Sequence, residues 1–102
     1  MTDSDDRARL EAVVRGRVQG VGFRFFVIRV AGQFPVTGWV ANEHDGSVRC
    51  VAEGARADLE RLLDALRQGP PGADVSRVDD SWMPPTGGMT GFSVRSAGHR
   101  GD

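Results

Sequence analysis

An α+β fold, with two helices packed on one face of an antiparallel sheet, is predicted by three features of this 102-residue chain. Valine-rich runs alternate with period two, two longer runs repeat at helical spacing, and Gly, Pro and Asp-Gly punctuation separates them. The runs follow in the order β-α-β-β-α-β with a short extra strand near the C-terminus.

Leu10, Ala12, Val14, Gly16 and Val18 fall on one side of the first run, and Glu11, Arg15 and Arg17 on the other. That pattern is a half-buried strand. Gln19-Gly-Val-Gly22 breaks it. From Phe23 the period changes: Phe23, Phe26, Val27, Val30, Ala31 and Phe34 form one apolar helix face. Gly32 weakens the end of that helix and Pro35 stops it. Val36 to Asn42 reads as the second strand, His44-Asp-Gly46 as a tight turn, and Ser47 to Glu53 as the third strand. Leu59, Leu62, Leu63 and Leu66 mark a second amphipathic helix, closed by Gly69 and Pro70-Pro71. Ala73 to Trp82 is a fourth strand, Pro84 to Gly88 a loop, and Phe92 to Arg95 a short terminal strand. Two helices covering one sheet in this order give the ferredoxin-like, or split βαβ, arrangement. Residues 8–96 are expected to form the domain, residues 1–7 a disordered acidic tail and residues 97–102 a frayed end.

Composition narrows the chemistry. A formal charge of −1 argues against a dedicated nucleic-acid binder, so any anion site has to be local. Cys50 is the single cysteine, which excludes an internal disulfide and a cysteine-rich metal cluster. All thirteen basic residues are Arg, and Lys and Tyr are absent. A Schiff-base lysine, a Walker-type lysine and a tyrosine nucleophile are thereby ruled out. No apolar run reaches membrane-spanning length, and the polar, acidic start is unlike a secretory leader. The expected setting is the cytoplasm, with no membrane partner and no nucleic acid.

Two segments could carry chemistry. In Gly16-Arg-Val-Gln-Gly-Val-Gly-Phe-Arg24, glycines at 20 and 22 let backbone N–H groups converge just before a helix N-terminus. An anion there gains from the unpaired N–H groups and from the helix dipole. Arg24 is a cation in the first turn, against the dipole, and its planar fork matches phosphate oxygens. On loop geometry alone, an anion cradle and a plain turn with a solvated Arg24 fit equally well. In Gly38-Trp-Val-Ala-Asn-Glu-His-Asp-Gly-Ser-Val48, Asn42 ends a strand and faces the first loop in the assumed topology. Its amide can donate and accept at once, and so hold a water. Taken alone, Asn42 reads more readily as a cap on its own turn.

Together these two segments resemble the two signature motifs of the acylphosphatase family. The spacing, the order of elements, the Gly-Pro after the second helix and the Phe-x-Val-Arg ending are similar as well, over roughly residues 9 to 95. The resemblance implies a hydrolase that cleaves the carboxyl-phosphate bond of small acyl phosphates by direct water attack, without metal, cofactor or phosphoenzyme, as a monomer. It implies that Arg24 and the backbone of Gln19, Gly20, Val21, Gly22 and Phe23 hold the phosphate, and that Asn42 orients the water. The chain departs from the family pattern in three places. Seven residues follow Arg95, where many relatives end and a terminal carboxylate can hold the arginine, so another group has to orient Arg24. Pro35 replaces a usual helix-ending glycine, and Glu43 follows Asn42.

Other residues carry less. His44 in a turn and His99 in the tail read as surface residues, and two His with one Cys do not make a zinc site. Cys50 alternates with Val48 and Ala52 as a small core residue. Phe25 and Ile28 flank the main helix stripe as core or rim contacts, and Arg56 with Glu60 marks a solvated helix face. Two other functions compete. One is a catalytically weak anion-binding or regulatory module on the same fold, which would have no need of Asn42. The other is single-stranded RNA binding on the open sheet face, for which the third strand lacks stacking aromatics.

Overall fold

The computed structural model describes residues 6–95. Residues 1–5 of the expected acidic tail, Ser96 and the expected frayed end at residues 97–102 lie outside them. Seven elements follow in order: β1 (Arg7–Arg17), α1 (Phe23–Ala31), β2 (Thr37–Asn42), β3 (Val48–Ala55), α2 (Arg56–Gln68), β4 (Asp74–Met83) and β5 (Phe92–Val94). β1 begins at Arg7, inside the expected acidic tail, because Arg7 and Ala8 extend the ladder opposite Ala55 and Gly54. Phe34 continues the helical spacing but lies beyond α1. The helix closes at Ala31, and the N–H groups of Gln33 and Phe34 turn back onto Val30 and Ala31. α2 follows β3 with no intervening loop.

The strands form one sheet in the order β4-β1-β3-β2-β5. The first four are antiparallel to their neighbours, whereas β5 lies parallel to β2. The sheet is therefore mixed at that edge, a detail beyond the antiparallel expectation. Its cause is connectivity. β4 ends at one edge of the sheet, and residues 84–91 reverse the chain and carry it to the other edge. Four strand gaps of roughly 4.8 Å make about 19 Å, within reach of that segment at roughly 3.3 Å per residue.

One sheet face carries the core. Leu10, Ala12 and Val14 of β1, Val40 of β2 and Val48, Cys50 and Ala52 of β3 meet Phe23, Val27 and Ala31 of α1. Leu59, Leu62, Leu63 and Leu66 of α2 complete it. The alternation read from β1 and the leucine spacing of α2 produce this layer directly.

The opposite face is less open than alternation suggests. Ala41 and Val51 are fully buried there, and Glu53 is 3% exposed. The carboxylate of Glu53 accepts hydrogen bonds from Thr86 N, Thr86 Oγ1 and Gly87 N, and pairs with Arg9 at 3.0 Å. The crossing segment is thus pinned to the middle of the sheet. Further out, Arg9 and Arg49 both bridge to Glu11. Trp39 is stacked by Arg95 and Arg49, at 4.8 and 5.8 Å.

Candidate active site

β1 stops at Arg17, and Val18 is buried as the chain leaves the sheet. Gly20 and Gly22 take φ of 76° and 80°, the left-handed region that L side chains avoid. These two residues help turn the chain from strand into helix within the five positions between Arg17 and Phe23. Phe23, 2% exposed, then anchors the first turn of α1 in the core and packs edge-on against Phe26 at 5.9 Å. The anchoring of Phe23 leaves Arg24 half-buried at the rim and Phe25 pointing outward.

The N-terminus of α1 is left available for an anion. Gly22 is its cap residue, no side chain caps it, and its first turn holds no acidic residue. The first intrahelical N–H groups have no acceptor within the helix, as at any helix start. Among the described residues, the N–H groups of Gly20, Val21 and Gly22 also make no turn or loop backbone hydrogen bond. A phosphate placed there would meet several donors and the positive end of the helix dipole.

The second segment is fixed to the first by Gln19. Its Nε2 donates to the carbonyl oxygens of Glu43 and Ser47, at 2.8 and 2.9 Å. The β2–β3 turn is itself closed by Glu43 N to Ser47 O at 2.8 Å and Gly46 N to Glu43 O at 3.1 Å. Asp45 Oδ1 accepts from both Ser47 N and Ser47 Oγ. These contacts hold the carboxylate of Asp45 below its ordinary range, the Ser47 hydroxyl contributing most. The sequence reading gave Gln19 a place in the phosphate loop through its backbone. Its side chain has a separate structural job, for which the sequence carries no local signal.

Asp45, not Asn42, is the side chain that caps the turn. Asn42 is the last residue of β2, half-buried and opposite Val48. Its alternation with Gly38 and Val40 puts it on the helix-bearing face of the sheet. There it lines a cavity of about 100 Å³ with Val18, Gly20, Gly22, Phe23, Arg24 and Phe25. The structure thus brings Arg24, Asn42 and the glycine loop to one place. Among the described residues, no ion pair or side-chain hydrogen bond holds either the guanidinium of Arg24 or the amide of Asn42.

The remaining candidates lie elsewhere. His44 is exposed in the turn, and His99 lies outside the described residues. Cys50 is fully buried, and burial pushes its thiol up to about 12, which leaves no thiolate for catalysis. Among the described residues, no three His, Cys, Asp or Glu side chains gather as a metal site would require. Trp39, on the face where a single strand of RNA would lie, is already stacked by two arginines.

A family model described as Acylphosphatase matches residues 10–94. The chain is 51% identical over 87 residues to an acylphosphatase of Salinibacter ruber, a match that covers 85% of this chain and 92% of the relative. The fold superposes on the crystal structure of an acylphosphatase from Bacillus subtilis with a TM-score of 0.83, at 35% identity, over 86% of this chain and 98% of that one. It superposes on the structure of an acylphosphatase from Coxiella burnetii with a TM-score of 0.84, at 36% identity, over 93% of this chain and all of the other.

Proposed function

Because the chain belongs to the acylphosphatase family, we propose that it hydrolyses acyl phosphates to a carboxylate and inorganic phosphate, with Arg24 and Asn42 as its catalytic residues. The observation that carries this reading is the convergence of Arg24 and Asn42 on one cavity, with neither side chain engaged by another described residue. A half-buried arginine without a carboxylate partner is suited to a dianionic group.

In this mechanism the guanidinium of Arg24 takes two phosphoryl oxygens. The N–H groups of residues 19–24 surround the phosphoryl group at the start of α1. The amide of Asn42 accepts a hydrogen bond from a water and donates to it, which aims a lone pair at phosphorus. Attack forms the new P–O bond as the bond from phosphorus to the carboxyl oxygen breaks, in line with it. The electron pair leaves with the carboxylate, and the water proton passes to a phosphoryl oxygen. A carboxylate is the conjugate base of an acid with a pKa of roughly 4, so no general acid is needed to release it. What remains is positioning and charge stabilisation, which this site can supply. We place the protein in the cytoplasm as a monomer acting on a small molecule, without metal, cofactor, nucleic acid or membrane.

The test is phosphate release from a small acyl phosphate beside a phosphate monoester. Rapid release from the first and none from the second is expected. Absence of release from any acyl phosphate would leave an anion-binding module as the better reading.

A further inference from the structure

Phe25 and Val94 are the large apolar side chains that stay exposed among the described residues, at 80% and 48%. Single exposed hydrophobic residues need no explanation. These two, however, come from different elements, the first turn of α1 and the edge strand β5, and meet at one cavity. That cavity, of about 190 Å³, is lined by Phe25, Val94 and Arg24. Arg24 and Phe25 also line the smaller cavity that contains Asn42 and the glycine loop, whereas Asn42 is not among the residues around the larger one. Arg24 and Phe25 therefore stand between two compartments, one holding Asn42 and the glycine loop and the other opening onto Val94.

The geometry points to the Phe25–Val94 cavity as the subsite for the acyl group of the substrate, fitted to an apolar and preferably aromatic acyl chain. This rests on the hydrolase reading. In-line displacement puts the departing carboxylate on the side of phosphorus opposite the water. With the water at Asn42 and the phosphoryl group at Arg24, the acyl group has to leave the compartment that holds Asn42. The adjoining space lined by Phe25 and Val94 is where it arrives. Size agrees as well, since an apolar cavity of roughly 150 Å³ accepts benzene. A ring laid on Phe25 would remove apolar surface from water on both sides and gain the aromatic contact. A methyl group in the same place would cover little of either wall.

The edge strand is well placed to present Val94. Gly38 N donates to Gly91 O at 2.9 Å and Arg95 N to Val40 O at 2.9 Å, one on each side of the three residues of β5. Gly38, between β3 and β5, has no room for a side chain, because an added Cβ would run into the backbone of Val51 and Ala52 in β3 and the ring of Phe92 in β5.

The experiment uses non-hydrolysable acylphosphonates, titrated by calorimetry against the full chain. Benzoylphosphonate should bind at least about tenfold tighter than acetylphosphonate, the scale of a modest apolar contact difference. In the Phe25→Ala/Val94→Ala variant that preference should fall to within about twofold, while affinity for inorganic phosphate stays within about twofold. Phe25→Ala alone, a change at an exposed position, should remove most of the preference and carries the test if trimming β5 disturbs its edge. Equal binding of the two phosphonates by the unaltered chain, or a preference that survives in the variants, overturns the subsite. Turnover of benzoyl and acetyl phosphate is measured separately. A binding preference without turnover would sink the hydrolase reading and leave the subsite standing as a binding feature.

Discussion

Glu53, near the C-terminal end of the central strand β3, accepts hydrogen bonds from both the backbone N–H and the hydroxyl of Thr86, at 2.8 and 2.9 Å. Burial alone would raise the pKa of this carboxyl. Donation from Thr86 N, Gly87 N, Arg9 and Thr86 Oγ1 outweighs burial and brings it down to about 2. A folded-state pKa below the unfolded value gives stability that is complete above the unfolded pKa and is lost as pH falls through the folded one. The window here runs from about pH 4.5 down to about pH 2, and the shift corresponds to roughly 3 kcal/mol. Glu53→Gln should therefore be less stable than the unaltered protein at pH 7, with the gap closing on acidification through that window. Urea midpoints of both proteins at pH 7 and pH 2.5 measure it. A gap that does not change with pH would mean that Glu53 is not held as an anion.

Gln19→Ala should loosen the glycine loop from the β2–β3 turn. Two neutral hydrogen bonds to carbonyl groups contribute roughly 1–3 kcal/mol together. Gln19→Glu should cost more at neutral pH, because a carboxylate would face two carbonyl oxygens without a proton to donate. Both effects show in denaturant midpoints. In each variant the affinity for inorganic phosphate should weaken as well, since the same amide holds the cradle in register with Asn42. If Gln19→Ala changes stability but leaves phosphate binding untouched, the loop keeps its geometry without the tie.

Arg24→Ala should raise the inhibition constant of inorganic phosphate and lower turnover together, since a charge-assisted contact of this kind is worth roughly 1.5–3 kcal/mol. Arg24→Lys should not restore either, because a point charge cannot reproduce the two parallel N–H donors. Fold stability should change little, there being no described partner to strand. Unchanged phosphate inhibition in a folded Arg24→Ala variant would remove Arg24 from the site.

Asn42→Ala separates catalysis from binding. If the amide holds only the attacking water, kcat should drop by about a hundredfold or more while phosphate inhibition stays within a few-fold. The stability cost should be at most roughly 1 kcal/mol, since Asp45 and not Asn42 caps the adjoining turn. Surviving turnover would make Asn42 a strand-end residue with no part in the reaction.

Cys50 should resist alkylation in the native protein, its thiol being fully buried and raised to about 12. Cys50→Ala and exhaustive chelation should each leave activity within a few-fold. Loss of activity on chelation with recovery on adding a divalent ion would overturn the metal-free mechanism.

Much of this molecule is written locally in the chain. The alternation of Leu10 to Val18, the leucines of α2 and the Asp45-Gly46 turn need only short-range sterics and burial to define their elements. The positive-φ turn of Gly20 and Gly22 ahead of a helix is a local signal too, whereas Arg24 and Asn42 were singled out only by the resemblance of their two segments to a family, since taken alone one fitted a solvated turn equally well and the other read as a turn cap. What was not legible depends on distant parts of the chain meeting. Glu53 reads as an ordinary polar residue at a strand end, and only the crossing of residues 84–91 makes it a buried anion. The parallel placement of β5 follows from the same crossing. Val94 sits in an unremarkable terminal strand, and nothing near it in the sequence says that it reaches Phe25 and Arg24. Phe34 continues a helical repeat past the point where the backbone had already turned, since spacing reports side-chain faces and not hydrogen bonds.

The position of β1 inside the sheet has a kinetic side. Its partner β4 lies far along the chain, beyond both helices and the β2–β3 hairpin, with Arg9 opposite Met83 and Glu11 opposite Ser81. Those pairings require the loss of most of the chain's freedom before any ladder bond between them forms. Mixed α/β domains with such long-range contacts fold more slowly than helical bundles of equal length. The β1–β4 edge should therefore be the late step in refolding, formed after the helices and the β2–β3 hairpin have collapsed onto β1.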